Sequence, residues 1–189
     1  KEVRAALENE DYPLAEQLQH HVQGHFSEAY QPLGTLYIDY PEGEITDYSR
    51  RLDLSSAEAS VSYRRDGKRF TANYFASAPD SVIVIQLKGD VNALLRYDCL
   101  LPHRTVASDG RICNEGYAAW HSYPGYYSFK GDQFLYDPSR GIHFKTVVSV
   151  SNKGGTVRAE GDALRLEGCR EAVVTIVNST SFNGFDKDP

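Results

Sequence analysis

The chain of 189 residues contains no methionine. It does not begin at its own initiator, so a processed product or a piece of a longer protein is expected. Cysteine is nearly as scarce. The three, Cys99, Cys113 and Cys169, are odd in number, far apart and never in a CxxC arrangement. That argues against a disulfide framework or a thiolate zinc site and leaves buried free thiols as the default. Basic residues number 20 against 26 acidic ones, for a net charge of -6. A phosphate-backbone partner needs clustered Lys and Arg, and the only basic pairs are Arg50-Arg51 and Arg64-Arg65, both in strand-like text. No nucleic-acid partner is expected. No apolar run reaches the length of a bilayer span and no signal-peptide pattern is visible, so no membrane partner is expected either. GxSxG, the phosphate-binding P-loop, GxGxxG ahead of a helix and HExxH are all missing, which removes several enzyme classes.

What is present suits a globular domain. Hydrophobic residues make up 41% and charged residues 24%, and 13 Tyr, 8 Phe and 1 Trp supply aromatics that favour strands. The order of elements begins with helix. Val3 and Leu7 lie four apart, and Leu14, Leu18 and Val22 repeat that spacing on one helical face. Pro13 suits the first helical position and Gly24 the stop. Residues 1–24 are therefore read as a short helical hairpin, and 25–189 as strands within a single domain.

Strands are expected at 35–40, 48–57, either side of the turn Asp66-Gly67, at 81–89, 92–101, 142–152, 156–168 and 172–180. Gly154-Gly155 and Gly161-Asp162 read as further hairpin turns. Asn114 to Pro138 reads as a long Tyr- and Gly-rich loop. Many closely spaced strands and few helices predict a mainly β fold, an antiparallel β-sandwich with the helical hairpin at its N-terminal end.

Few constellations carry chemistry. His20, His21 and His25 lack a completing carboxylate or thiolate, and a surface helix end explains them better than a metal. Asn183, Asp186 and Asp188 gather hard oxygens, but without the glycine and final Glu of an EF-hand loop. No metal and no cofactor is expected. Asn178-Ser179-Thr180 matches a glycosylation acceptor but ends an apolar strand. Asp39, Glu42, Glu44 and Asp47 cluster around a turn and read as solvated, so no catalytic carboxylate pair can be named. The aromatic segment offers more. Trp120, His121, Tyr123 and Tyr126 combine flat apolar faces with hydrogen-bonding groups, the combination that recognises a sugar ring. The competing reading is a long loop pinned by its own rings.

Five stretches resemble one family in order along the chain: EVRAALENEDYPLAEQL (2–18), YQPLGTLYID (30–39), YSRRLDLSSAEASVSY (48–63), FTANYFASAPDSVIVIQL (70–87) and TSFNGFDKDP (180–189). They are similar to blocks of glycoside hydrolase family ninety-five, the α-L-fucosidases with some α-L-galactosidases. The resemblance implies an N-terminal β-sandwich, or super-sandwich, followed by a helical linker and an (α/α)6 barrel. It also implies an inverting hydrolysis without metal or cofactor, run by Glu, Asp and Asn residues of the barrel. None of the motifs carrying those residues occurs here, and the family's upstream Trp and GNG block is missing too. On this reading the chain is a fragment with no catalytic residues of its own. Its partner would be the downstream catalytic domain of the same protein, with a fucosylated or galactosylated oligosaccharide as ligand of the whole. Ser181, Phe182, Asn183, Phe185 and Asp186 would form the interdomain interface. The parent would be secreted or periplasmic, and the isolated piece would self-associate through a bare sheet edge. The rival readings are a stand-alone carbohydrate-binding module built on Trp120 and, last, a self-sufficient enzyme.

Overall fold

The computed structural model describes residues 1–189 apart from His25, Phe26, Ala29, Tyr127, Ser128, Phe129, Phe185 and Asp188. The elements run α1 (Glu2–Glu8), α2 (Tyr12–Gln19), β1 (Thr35–Asp39), β2 (Ile45–Asp53), β3 (Glu58–Arg65), β4 (Lys68–Ser77), β5 (Val82–Asp98), β6 (His103–Ser108), β7 (Arg111–Tyr117), β8 (His121–Ser122), β9 (Phe134–Leu135), β10 (His143–Lys153), β11 (Thr156–Glu160) and β12 (Ala163–Thr180). The chain divides into two compact units. One comprises Lys1–Tyr30 with Ser122–Gln133, the other Gln31–His121 with Phe134–Pro189.

The smaller unit holds α1 and α2. Asp11 caps α2 by accepting the Leu14 amide at 3.1 Å. Pro13 sits in the first turn, where a missing N–H costs nothing. The expected stop at Gly24 comes late. The helix ends at Gln19, whose carbonyl accepts the amides of Val22 and Gln23. The Leu and Val repeat marks the helix but not its buried side. Ala6 and Ala15 are buried, whereas Leu7 and Leu14 stay 49% and 42% exposed. In the later segment of this unit, Glu28 accepts both the amide (2.6 Å) and the hydroxyl (3.1 Å) of Ser122. The Tyr123 amide donates to the Gln133 carbonyl at 2.9 Å.

The larger unit is built on one antiparallel sheet in the order β2-β3-β4-β5-β12-β10-β7-β6, with β1 also on β5 and β11 also on β12. Two very long strands organise it. The first half of β5 pairs with β4 and with the last half of β12. The second half pairs with β1 and with the start of β12. Gly89 lies at the changeover with φ +107, and a Cβ there would run into the Arg69 carbonyl. Only glycine meets both demands. β12 changes neighbours through register shifts between Leu166, Cys169 and Glu171. Strands that bend and bulge in this way carry a sheet around a corner.

The folded sheet closes on a single core. Leu95, Leu164 and Leu166 come from the β1–β5–β12–β11 part, and Leu87, Ile112, Val148 and Val174 from the rest, and all are fully buried. Inside this core the hydroxyls of Tyr97 and Thr146 lie 3.3 Å apart. Tyr40 meets the Phe70 ring edge-on at 5.0 Å. The structure is thus mainly β and antiparallel, of sandwich type, with two short helices at the N-terminal end.

Several turns are where the sequence put them. Asp66-Gly67 (φ 51 and 77) joins β3 to β4, and Gly154-Gly155 (φ 68 and 61) joins β10 to β11. The expected strands 81–89 and 172–180 are halves of longer ones. The expected loop from Asn114 starts too early, because Asn114–Tyr117 closes β7. Leu52 alternates as a strand residue should but lies on β2, where eight of nine residues are exposed. β2 ends the sheet path, so its outer edge has no strand neighbour among the described residues.

Candidate functional site

An open groove of about 760 Å³ crosses β6, β7, β10 and the end of β12. Register explains its walls. Arg104 pairs with Glu115, Glu115 with Lys145, and Lys145 with Ser179, so four strands carry one charged and hydroxyl row. Two residues along, Tyr117 pairs with His143. Side chains alternate along a strand, so these two rows share the outer face. Ile112, Asn114, Thr146 and Val148 point the other way and are buried.

The floor between the rows contains Gly116, Phe144 and Thr180. A Cβ on Gly116 would collide with the Pro102 carbonyl, so glycine lets the chain entering β6 lie against β7. The Tyr117 amide donates to that same carbonyl at 3.2 Å.

The side chains are held from several directions. Lys145 Nζ lies 3.4 Å from Glu115 Oε2. His143 and Ser181 clasp each other, the His143 amide donating to Ser181 Oγ and the Ser181 amide to the His143 carbonyl, both at 2.9 Å. Ring nitrogens reach carbonyls at 2.7 Å in two places, His143 Nε2 to Pro138 and His103 Nδ1 to Leu101. The Tyr117 ring lies 5.9 Å from His143 and 6.5 Å from Tyr136, the latter edge-on.

Trp120 and His121 do come together, with ring centroids 5.4 Å apart. Arg140 lies over the Trp120 ring at 3.6 Å from its centroid, a close cation–π contact. The Trp120 amide donates to the Leu135 carbonyl. Tyr123 and the highly exposed Tyr126 belong to the smaller unit. Of the expected interface residues, Ser181 lines the groove, Phe182 is 52% exposed, and Asn183 and Asp186 are exposed. Phe185 lies outside the described residues.

Two of the four acids of the turn region are paired. Asp39 holds Arg96 at 2.8 Å and Asp47 holds Arg64 at 3.2 Å. Asp53 and Asp137 lie below the usual carboxylate range, chiefly through hydrogen bonds from Ser55 and Ser139. Hydrogen bonds from Arg165 and Lys153 do the same for Glu160 and Glu171. A general acid needs the opposite shift. Among the described residues no three His, Cys, Asp or Glu side chains gather as metal ligands. His20 Nδ1 lies 3.2 Å from Gln23 Oε1. His25 and Asp188, which the metal readings involved, lie outside the described residues.

Sequence reasoning missed the groove because it missed β6 and left β7 unread. The signal was there. Asp109-Gly110, with φ 47 and 71, joins HRTVAS to RICNEGY as a two-residue hairpin.

Against this geometry, comparison with known proteins gives three results. The family model described as glycosyl hydrolase family 65, N-terminal domain, matches residues 1–184. "Alpha-L-fucosidase 2" of Arabidopsis thaliana is 27% identical across 97% of this chain, which spans 23% of that relative's length. A solved structure, a "Putative kojibiose phosphorylase from human microbiome", superposes with a TM-score of 0.45 at 11% identity, covering 83% of this chain and 24% of that one. Because the family model takes in nearly every residue, this chain belongs to the N-terminal domain family of glycosyl hydrolase family 65.

Proposed function

We propose that the chain is the non-catalytic N-terminal sandwich of a fucosidase-type glycoside hydrolase of the family ninety-five kind. It packs against a downstream catalytic barrel and shapes the approach of substrate. One observation carries the reading. Among the described residues, the only carboxylate lining the groove is Glu115, and it is tied to Lys145 at 3.4 Å. Glycoside hydrolysis of the usual kind needs two facing carboxyl groups, one of them protonated.

The fucosidase part draws support from the relative named "Alpha-L-fucosidase 2" and from the five sequence blocks quoted above. The exposed tail residues Phe182, Asn183 and Asp186 follow directly on the strand that closes the groove, which suits an interface there. A stand-alone sugar-binding module built on Trp120 is the weaker reading, since Arg140 already covers one face of that ring.

The test is fucose release from a 2'-linked fucosyl oligosaccharide. This chain would be assayed beside a version extended through the downstream part of its gene. Release by the extended protein alone is expected. Release by this chain alone would overturn the non-catalytic assignment.

A further inference from the structure

We propose that the groove across β6, β7, β10 and β12 binds a short neutral oligosaccharide. The proposal rests on the reading of the chain as part of a sugar-processing protein, and it goes further by naming the surface and its chemistry. Nothing in the proposed packing role requires this groove to hold a ligand.

The first reason is size and shape. The groove measures about 760 Å³, inside the roughly 300–1,000 Å³ typical of small-ligand sites. It runs across four strands, and three strand spacings make about 14 Å. That length suits a chain of sugars better than a single ring. It is open along its length, as an oligosaccharide with free ends requires.

The second reason is the pairing of a ring with a polar row. A pyranose presents an apolar C–H face and a rim of hydroxyls. The half-buried Tyr117 ring, fixed by Tyr136 and His143, offers an apolar surface on one side of the groove. Arg104, Glu115, Lys145 and Ser179 stand in register on the other. Neighbouring hydroxyls each donate and accept, so they are best met by donors and acceptors alternating along one line. Arg104 and Lys145 donate, Glu115 between them accepts, and Ser179 does both.

The third reason is what the charges disfavour. The groove carries the two fixed cations Arg104 and Lys145 around one carboxylate, with His103 and His143 beside them. A polyanion would meet Glu115 in mid-groove. An apolar peptide would strip water from all three charged groups, which is costly without full pairing. A neutral polyol can satisfy each of them in turn.

The experiment is a titration of the 189-residue chain with maltotriose, lactose and 2'-fucosyllactose, followed by calorimetry and by amide chemical shifts. Saturable millimolar binding of at least one probe is expected, with shifts concentrated at Gly116, Tyr117, Phe144 and Lys145. Tyr117→Ala and Arg104→Ala should each weaken it about tenfold. Tyr48→Ala, on the distant edge strand, should leave it unchanged. Arg104 is exposed, so its variant keeps the test valid if Tyr117→Ala unfolds. No saturable binding of any probe overturns the proposal, as does binding that survives both groove variants. Either failure without fucose release leaves the non-catalytic reading standing, so the two ideas fail separately.

Discussion

The two compact units bury their apolar residues in opposite ways. The larger one places Leu87, Leu95, Leu164 and Leu166 in full burial and keeps most charges outside, with Arg65 the buried exception among the described residues. Among its described residues, the smaller one buries two alanines and leaves Leu7, Leu14, Tyr12 and Val22 exposed. Leucine is the same chemistry in both places. Its contribution depends on whether neighbours close over it, which a repeat in the sequence does not report. The sheet therefore carries its own stability, and the helices carry little.

The same substitution made twice puts the largest strain on this contrast. Leu87→Ala should cost about 2–5 kcal/mol, because it opens a cavity in the closed core. Leu14→Ala should cost below about 0.5 kcal/mol. Urea unfolding curves of both variants decide it, and equal losses would show that the helices share the core after all. Next comes Gly89→Ala at the bend of β5. The new methyl meets the Arg69 carbonyl in a backbone conformation L side chains avoid, so a loss of about 1–3 kcal/mol is expected from the same curves.

The smallest effect is acid sensitivity. The acids held low, Asp53, Asp137, Glu160 and Glu171, all belong to the larger unit. Glu171 lies 2.8 Å from Lys153 and 3.9 Å from Lys88. A carboxylate whose folded pKa is depressed adds stability above its unfolded pKa. That stability is lost as pH falls through the folded value. The melting temperature should therefore fall modestly between about pH 5 and about pH 3, and Glu171→Gln should flatten the slope. An unchanged slope in that variant would remove Glu171 from the account.

Much of the fold was legible where local chemistry decides. Asp66-Gly67 and Gly154-Gly155 each give the chain two residues that accept positive φ, and both became tight hairpins. The helices were legible through Pro13 and the spacing of Leu14 and Leu18, while the Asp11 cap went unread. The long strands were not. The expected strands stopped at Gly89 and Gly168, and only the pairing of β5 with both parts of β12 shows that the chain bends there without stopping. The groove was less legible still. Arg104, Glu115, Lys145 and Ser179 are scattered over some seventy-five positions in sequence, and only register lines them up. Trp120 drew attention as a flat aromatic face in a ring-rich segment, while the Arg140 that covers it sits twenty residues away.

The position of β12 has a consequence for how the chain is made. It is the last strand in sequence, yet it lies between β5 and β10 in the middle of the sheet. A ribosome emits β5, β7 and β10 well before it, and none of them can find its central neighbour until residues 163–180 have emerged. Until then Leu87, Val91 and Val148 have no partner layer. The nascent domain must wait, with apolar strands exposed, for its closing segment. A chaperone that holds extended apolar chain should bind the emerging strands and let go once residues 163–180 have left the ribosome.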